Sequence, residues 1–281
     1  MRFSLFKEYG ALNSKPVFKA FERSLQDAGH TVTESDMHGD VAVIWSVLFN
    51  GRMTGNKPVW DYYTKTGRNV IVLEVGGLQR GTTWKVGLNG INRDAYFAPT
   101  GNDNSRAAQL GHTLKPWRKD GEHILICGQH DKSLQWQGMP SMGNWVMKTI
   151  ETLQEHTSRP IFFRPHPRCQ LPHIERQYRN VYRQHPHQLR GTYDDFDLTY
   201  TNAWAVVNWS SNPGVEATRN GIPAFVGPSS LAYDVATHNL AHINEPTIID
   251  REQWFNDLMH TEYTVEEIEQ GIPLKNLTQH L

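Results

Sequence analysis

The sequence has few cysteines, almost no net charge and no long apolar run, and each shortage narrows the class of protein. Its 281 residues include two cysteines, Cys127 and Cys169, without metal-ligand spacing, which favours a reducing cytoplasm over a disulfide scaffold. The formal net charge of −1 means that any contact with nucleic acid has to depend on local patches. No apolar segment approaches the length of a membrane span, so we expect a cytoplasmic protein without membrane insertion.

Short apolar runs alternate with helix-like stretches in the first half of the chain. Residues 1–6, 40–45 and 69–75 are short, rich in branched side chains and bounded by Gly, Asn or Asp, as buried strands are. Residues 15–30 carry apolar side chains at helical spacing and end near a glycine. The order strand, helix, strand predicts a parallel sheet covered by helices.

The same alternation begins again in the second half. The predicted strands are 123–128, 159–164, 203–209 and 222–227, with helices at 144–156 and between the last two strands. We therefore predict an α/β chain of two Rossmann-like domains with parallel sheets that face a central cleft. The predicted limits are 1–115 for the first domain, 116–250 for the second, and 251–281 for a helix that packs back on the first.

A histidine held between two prolines follows one of these strands. Arg164, His166 and Arg168 lie within five positions, and each neighbouring proline restricts the backbone. The segment is typical of a stiff turn. It also suits an anion site, because two cations and one titratable donor have little conformational freedom left to lose.

A second polar segment follows the strand at 203–209. Ser210 and Ser211 precede Pro213, which occupies the favoured first position of a helix. The N–H groups of a helix start, with two hydroxyls beside them, predict a phosphate site, and Glu216 is placed to accept hydrogen bonds from a ribose. Ordinary N-capping and helix-dipole stabilisation are the alternatives for these residues.

Candidate catalytic carboxylates follow two further strands. Glu74 ends an apolar run and precedes a Gly-Gly turn and Arg80, so burial is expected to raise its pKa toward that of a general base. A buried Glu74–Arg80 ion pair without chemistry is the alternative. Gln129 and Asp131 follow the strand at 123–128, where an ordinary polar turn is the simpler interpretation.

Together these segments resemble a known family. Glu-x-Gly followed by Arg, Gly-Gln followed by Asp and Ser, Arg-Pro-His-Pro, and Ser-Ser-x-x-Gly-x-Glu-Ala with a later Gly-x-Pro occur here in this order. The set is similar to the capsule polysaccharide synthesis family, whose members are glycosyltransferases related to the bacterial β-Kdo transferases. The acidic run after Gly-Gln is shorter here, and Val75 stands where an acidic residue is common.

The resemblance implies a GT-B fold whose first domain holds the acceptor and whose second domain holds a UDP- or CMP-linked sugar. Glu74 would then serve the acceptor hydroxyl or the reacting sugar, with Asp131 as the second candidate carboxylate. The residues predicted to bind the nucleotide-sugar are Gln129, Arg164, His166, Ser210, Ser211 and Glu216. Fixed cations and helix N–H groups stabilise a departing phosphate without a metal, so we expect no metal and no cofactor besides the nucleotide-sugar.

The acceptor is expected to bind the glycine-rich stretch 76–111. Arg80, Trp84, Lys85 and Arg93 are its predicted contacts, because a loop with cations and aromatics suits a phosphate backbone and an extruded base. Small stand-alone enzymes of similar appearance occur in bacteriophages, where GT-B transferases attach sugars to 5-hydroxymethyl bases in DNA. This resemblance implies, as the preferred acceptor, a 5-hydroxymethyl-pyrimidine base such as 5-hydroxymethylcytosine in double-stranded bacteriophage DNA, modified in the host cytoplasm. A capsule or lipopolysaccharide glycan is the alternative, since sugars also stack on aromatics. A non-catalytic nucleotide-binding protein remains if Glu74 is only structural.

Overall fold

The computed structural model of the chain describes residues 1–189, 196–197 and 199–281. These residues form two compact units. The first unit contains Met1–Leu110, Lys132–Leu134 and Asn256–Leu281, and the second contains Gly111–Asp131 and Gln135–Phe255. The sequence analysis predicts limits of 116 and 250 for the second domain.

Strands and helices are numbered in chain order. The strands are β1 (Arg2–Leu5), β2 (Thr31–Glu34), β3 (Val41–Trp45), β4 (Asn69–Val75), β5 (Trp84–Leu88), β6 (His123–Cys127), β7 (Ile161–Arg164), β8 (Val181–Arg183), β9 (His187–Gln188), β10 (Phe196–Asp197), β11 (Ala203–Val207), β12 (Ala224–Phe225) and β13 (Glu262–Tyr263). The helices are α1 (Lys15–Asp27), α2 (Asn56–Lys65), α3 (Ser105–Gln109), α4 (Met142–His156), α5 (Asn212–Arg219), α6 (Glu252–Leu258), α7 (Val265–Glu269) and α8 (Ile272–Leu277).

A six-stranded sheet in the order β13-β5-β4-β3-β1-β2 forms the centre of the first unit. The four strands from β4 to β2 are parallel, whereas β5 runs antiparallel to β4 and β13 antiparallel to β5. One face packs against α1, α7 and α8 around Phe21 and Trp45. The other face packs against α2 through Val59 and Tyr63. Both faces are covered, which explains why every residue of β3 is buried.

The first helix shows how the local sequence sets its own limits. Pro16 lies in the first turn of α1, where the missing N–H has no helical partner to lose. Val17, Phe21 and Leu25 recur on one face and are fully buried. The helix stops before Gly29, whose φ of 76° belongs to the left-handed region that glycine adopts easily.

The second unit is built on a five-stranded parallel sheet in the order β12-β11-β6-β7-β8. Counted along the chain, the strand order reverses between β6 and β11, which is the arrangement of a doubly wound Rossmann sheet. Val146, Ile150 and Leu153 of α4 pack on one face. Ala217 of α5 packs on the other.

The predicted strands and helices are present, and the structure adds elements that the sequence analysis missed, namely the strands β2, β5, β8, β9, β10 and β13 and the helices α2 and α3. The edge strand β2 reads TVTE and is half-exposed, so it lacks the apolar run of a buried strand. The strand β5 lies inside the glycine-rich stretch, where Gly87 leaves no room for a Cβ beside the carbonyl of Gly90. The C-terminal segment forms the three short helices α6, α7 and α8 with β13 among them, instead of the single helix predicted for 251–281.

Arg106 joins the C-terminal segment of the first unit to the rest of that unit. Its guanidinium donates to both carboxylate oxygens of Glu267 at 2.7 and 2.9 Å and to the carbonyls of Met259 and Glu262. It also lies over the ring of Tyr263. Burial alone raises the pKa of Glu267, but the hydrogen bonds from Arg106 outweigh it and hold the pKa below its usual value.

We expect Arg106→Leu to destabilise the protein by about 3–5 kcal/mol, because the buried carboxylate of Glu267 loses its partner. Urea unfolding measures this change. Arg23→Leu is the matched control, since Arg23 also pairs with α7, through Glu269, but on the exposed surface; it should cost no more than about 1 kcal/mol. Equal losses in the two variants would contradict a structural role for the Arg106 network.

Candidate functional site

In each unit, the chemistry-bearing residues predicted from the sequence follow the carboxyl ends of sheet strands. This edge is where ligands bind in open α/β sheets, because loops from neighbouring parallel strands converge there. Glu74 ends β4 of the first unit. Gln129, His166 and Ser210 follow β6, β7 and β11 of the second unit. The two groups are described in turn.

Glu74 lies among polar and charged neighbours at the end of β4. Part of its surface remains accessible, although the surrounding protein removes most of its water. Burial raises the pKa of Glu74 above its usual value, even though the Ser46 hydroxyl, the N–H of Val75 and the charges of Lys85 and Arg80 each act to lower it. A carboxyl group with a raised pKa that substrate can still reach is suited to general base catalysis.

Ser46 is a part of this site that the sequence analysis missed. It follows β3 directly, with its N–H on the carbonyl of Leu73 at 2.8 Å and its hydroxyl accepting from the N–H of Leu48 at 2.9 Å. The same hydroxyl is hydrogen-bonded to Glu74. Its φ of 66° is unusual for a residue with a side chain, and such backbone strain concentrates at functional sites.

Lys85 faces Glu74 across the sheet. The antiparallel register of β4 and β5 places the two residues directly opposite each other. Burial lowers the pKa of Lys85, while the carboxylates of Glu262 and Glu74 act to raise it. The prediction placed Lys85 in a mobile acceptor loop, but it belongs to a strand of the central sheet.

Trp84 does not suit the acceptor role predicted for it. Its side chain is 5% exposed and packs against Trp45, with 5.8 Å between ring centroids, in the core beneath α1. A ring enclosed in this way has no free face on which a sugar or a base can stack. Arg80 and Arg93 lie outside the core and are exposed, so their acceptor role stays a prediction.

The Gly-Gly turn after Glu74 is held by a carboxylate from β13. Glu262 accepts hydrogen bonds from the N–H groups of Gly77 at 2.6 Å and Leu78 at 2.9 Å, and from the hydroxyl of Thr83 at 2.7 Å. A Cβ on Gly76 would lie 2.3 Å from a carboxylate oxygen of Glu262. The turn is therefore ordered by its contacts, and glycine is required where it passes this side chain.

In the second unit, Gln129 and Ser210 meet at the point where the strand order reverses. Gln129 follows β6 and Ser210 follows β11, and each is 5% exposed. The side-chain carbonyl of Gln129 accepts from the N–H of Ser210 at 3.0 Å and from its hydroxyl at 3.2 Å. The structure thus joins two predicted donor-binding residues that are 81 positions apart in the sequence.

His166 is set in a loop anchored at both ends. Its Nδ1 accepts the N–H of Arg168 at 3.1 Å, so the ring proton of the neutral form lies on Nε2. Further along the loop, Arg183 donates to the carbonyls of Leu171 and Pro172. His130, a residue that the sequence analysis did not single out, lies with its ring centroid 5.6 Å from that of His166.

Arg164 lies inside the second unit, which does not suit its predicted place beside a bound anion. It is 4% exposed. Its guanidinium donates to the side chain of Gln184 and to the carbonyl of Thr199, and it lies over the ring of Tyr200. These contacts give Arg164 a structural role. Arg168, on the same loop, is exposed.

The start of α5 offers N–H groups beside Ser210 and Ser211. Ser211 precedes the helix in an extended conformation, but its hydroxyl accepts from the amide of Asn208 and makes no capping bond. Ordinary N-capping therefore does not explain this serine. Gly214 in the first turn has no room for a Cβ, which would lie 2.4 Å from Asn208 and 2.8 Å from Val226. The close packing brings the helix start against the strand edge.

Glu216 and Asp131 complete the predicted set. The carboxylate of Glu216 accepts from the hydroxyl of Tyr200 at 3.0 Å. Burial and the adjacent Glu216 raise the pKa of Tyr200 well above its usual value, so this hydroxyl remains a donor. Asp131 lies 3.6 Å from Nδ1 of His130. Their roles toward a ligand stay predictions.

Among the residues that the structure describes, no three His, Cys, Asp or Glu side chains gather as potential ligands of a metal ion. In the same part of the chain, no helix combines the length and apolar character that crossing a bilayer requires.

Comparison with known proteins identifies the fold. No family profile and no curated protein sequence matches the chain. The solved structure of Thermosulfurimonas dismutans KpsC, beta Kdo 2,7 transferase, matches with a TM-score of 0.52 at 15% identity and covers 98% of this chain and 100% of that chain. KpsC, beta Kdo 2,4 transferase, from the same organism gives a TM-score of 0.46 at 13% identity, over 97% and 98% of the two chains. The first likeness confirms the predicted α/β, GT-B-like fold with Rossmann-like units and parallel sheets.

Proposed function

We propose that the protein is a metal-independent glycosyltransferase that moves a sugar from a UDP- or CMP-linked donor to a hydroxyl group of a growing capsule or lipopolysaccharide glycan. The contact between Gln129 and Ser210 carries this proposal. It lies at the strand-order reversal of a parallel sheet, beside a helix start, which is where Rossmann-like units bind nucleotides. The similarity to a protein titled as a Kdo transferase supports the same class of reaction.

In the proposed donor site, the second unit binds the nucleotide-sugar through its phosphate. His166 donates from Nε2 to a phosphate oxygen, and the N–H groups at the start of α5 bind the same charge. Glu216 accepts from the ribose hydroxyls, and Tyr200 holds that carboxylate in place. These donors stabilise the negative charge that develops on the leaving phosphate.

In the proposed reaction, the first unit supplies the base. Glu74 accepts the proton of the acceptor hydroxyl while the acceptor oxygen bonds to the anomeric carbon of the donor sugar. The bond from that carbon to the phosphate oxygen breaks, and the phosphate keeps the bonding electrons. Because its pKa is raised, Glu74 binds a proton more strongly than an ordinary carboxylate does, as a general base at neutral pH requires.

The structure weakens the argument that favoured a DNA acceptor. That argument depended on an exposed loop of cations and aromatics, but Trp84 lies in the core, Arg106 is enclosed by Glu267, and Lys85 lies between carboxylates. Arg80 and Arg93 alone make a small cationic surface for a duplex. A glycan, which binds through hydroxyl groups, does not need such a surface, so we propose it as the acceptor.

We expect His166→Ala to weaken nucleotide binding by about 10–100-fold, the effect of losing one hydrogen bond to a charged group. Titration calorimetry with CMP and UDP measures this loss. The melting temperature should change little, because His166 is half-exposed on a loop that Arg183 anchors independently. His242→Ala, an exposed histidine of the same unit, is the control. Unchanged affinity in His166→Ala would sink the anion-site interpretation.

We expect Glu74→Gln to lower the transfer rate by about 10²–10⁴-fold, because the amide keeps the size of the side chain but cannot accept a proton. In the wild-type enzyme the rate should rise with pH as Glu74 ionises, and this rise should lie above the usual range of a carboxyl group because burial raises its pKa. Glu74→Gln should lack that rise. Glu266→Gln, exposed on α7, is the matched control and should remain active. A folded Glu74→Gln variant with wild-type rate would make Glu74 structural and Asp131 the next candidate.

The acceptor class is tested by incubation with radiolabelled CMP- and UDP-sugars. One reaction contains capsule or lipopolysaccharide oligosaccharides, and another contains duplex DNA with 5-hydroxymethylcytosine. We expect label in the oligosaccharide. Label in the DNA alone would establish the alternative acceptor, and nucleotide binding without transfer to any acceptor would establish a non-catalytic nucleotide-binding protein.

A further inference from the structure

A second carboxylate lies next to Lys85 on the side away from Glu74. Antiparallel pairing places Glu262 of β13 directly opposite Lys85, and Lys85 directly opposite Glu74. Side chains at such positions share one face of the sheet, about 5 Å apart. Lys85 is therefore flanked by one acidic residue on each neighbouring strand.

Glu262 is bound too specifically to be a chance surface charge. It is 2% exposed, and its carboxylate accepts two backbone N–H groups and one hydroxyl from the turn after Glu74. Thr83, which supplies the hydroxyl, is fully buried. A buried carboxylate held by three donors cannot readily move away.

We propose that Glu262 is a positioning residue of the Glu74 site, which fixes the turn carrying Arg80 and holds Lys85 in its charged form beside Glu74. The catalytic part of this inference rests on the proposed function, because it takes Glu74 as the base. The electrostatic part does not, since it concerns only the three charges and their neighbours.

The charges around Lys85 decide in which direction the loss of Glu262 shifts its pKa. Glu74 faces Lys85 and Arg80, Lys85 faces both carboxylates, and the backbone carbonyl of Glu262 accepts from Arg106. Burial lowers the pKa of Lys85, and Glu262 opposes this. Without the charge of Glu262, Lys85 releases its proton at lower pH.

The test is the pH profile of kcat for Glu262→Gln. We expect the alkaline limb, set by Lys85, to move to lower pH by about 0.5 unit or more, the effect of one charge about 5 Å away in a water-like dielectric. The acidic limb, set by Glu74, should move less, because Lys85 lies between Glu74 and Glu262. Thr83→Val is the control, since it removes a hydrogen bond to Glu262 but no charge. Its limbs should stay in place, whatever happens to its rate. Unmoved limbs in an active Glu262→Gln variant would overturn the proposal.

A measurement that needs no activity separates this inference from the proposed function. The ¹³Cε signal of Lys85, assigned with Lys85→Arg, can be titrated in the purified protein. We expect Lys85 to titrate at lower pH in Glu262→Gln than in wild type, even if no sugar transfer is found. Should Glu262→Gln fail to fold, Glu262→Asp keeps the charge but withdraws it by one methylene, and should move the titration the same way by less. An unchanged titration in the folded variant overturns the proposal.

Discussion

Parallel strand pairing is the constraint on which the candidate site depends. Parallel strands end at one edge, so residues that directly follow them converge although long connections separate them in the chain. In the second unit this brings Ser210 to Gln129, 81 positions away, with β6 and β11 as neighbours. The same rule places the loop of His166 beside that of His130. The site is a consequence of sheet topology before any ligand is considered.

Burying Glu74, Lys85 and Glu262 in one row across the sheet costs folding free energy, and this cost makes their surroundings informative. Taking charges out of water is unfavourable, and a hydrophobic set of similar volume often packs as stably. Here burial raises the pKa of Glu74 and lowers the pKa of Lys85, so both shifts favour the neutral form of the side chain. The charged and hydrogen-bonding neighbours of the two residues do not cancel either shift. The Arg106–Glu267 pair differs, because there the hydrogen bonds outweigh burial and the pKa of Glu267 falls. The two cases therefore differ in whether burial or the hydrogen-bonding partner has the larger influence on the pKa.

Local sequence patterns predicted the strands because each main strand is an apolar run, as in β3 and β4. They failed where the determining contact is distant. Trp84 and Lys85 looked like loop residues among glycines, and only pairing with β4 and with β13, more than 170 residues later, makes them part of a sheet. The sequence around Glu262 does not predict its role, because the turn that its carboxylate binds lies 184 positions earlier. The contacts of Arg164 were missed for a related reason, because the partners that enclose it, Gln184 and Thr199, follow it by 20 and 35 positions.

Strand alternation also explains why Glu74 and Val75 lie in different environments at the end of β4. Successive side chains point to opposite faces of a sheet, so residues 74 and 75 cannot share an environment. Val75 packs on the core beside α1, whereas Glu74 lies on the face of Lys85 and Ser46. Members of the capsule polysaccharide synthesis family commonly carry an acidic residue where Val75 stands. In this chain Glu74 therefore shares its face with the neighbours that act on its pKa, and Val75 does not.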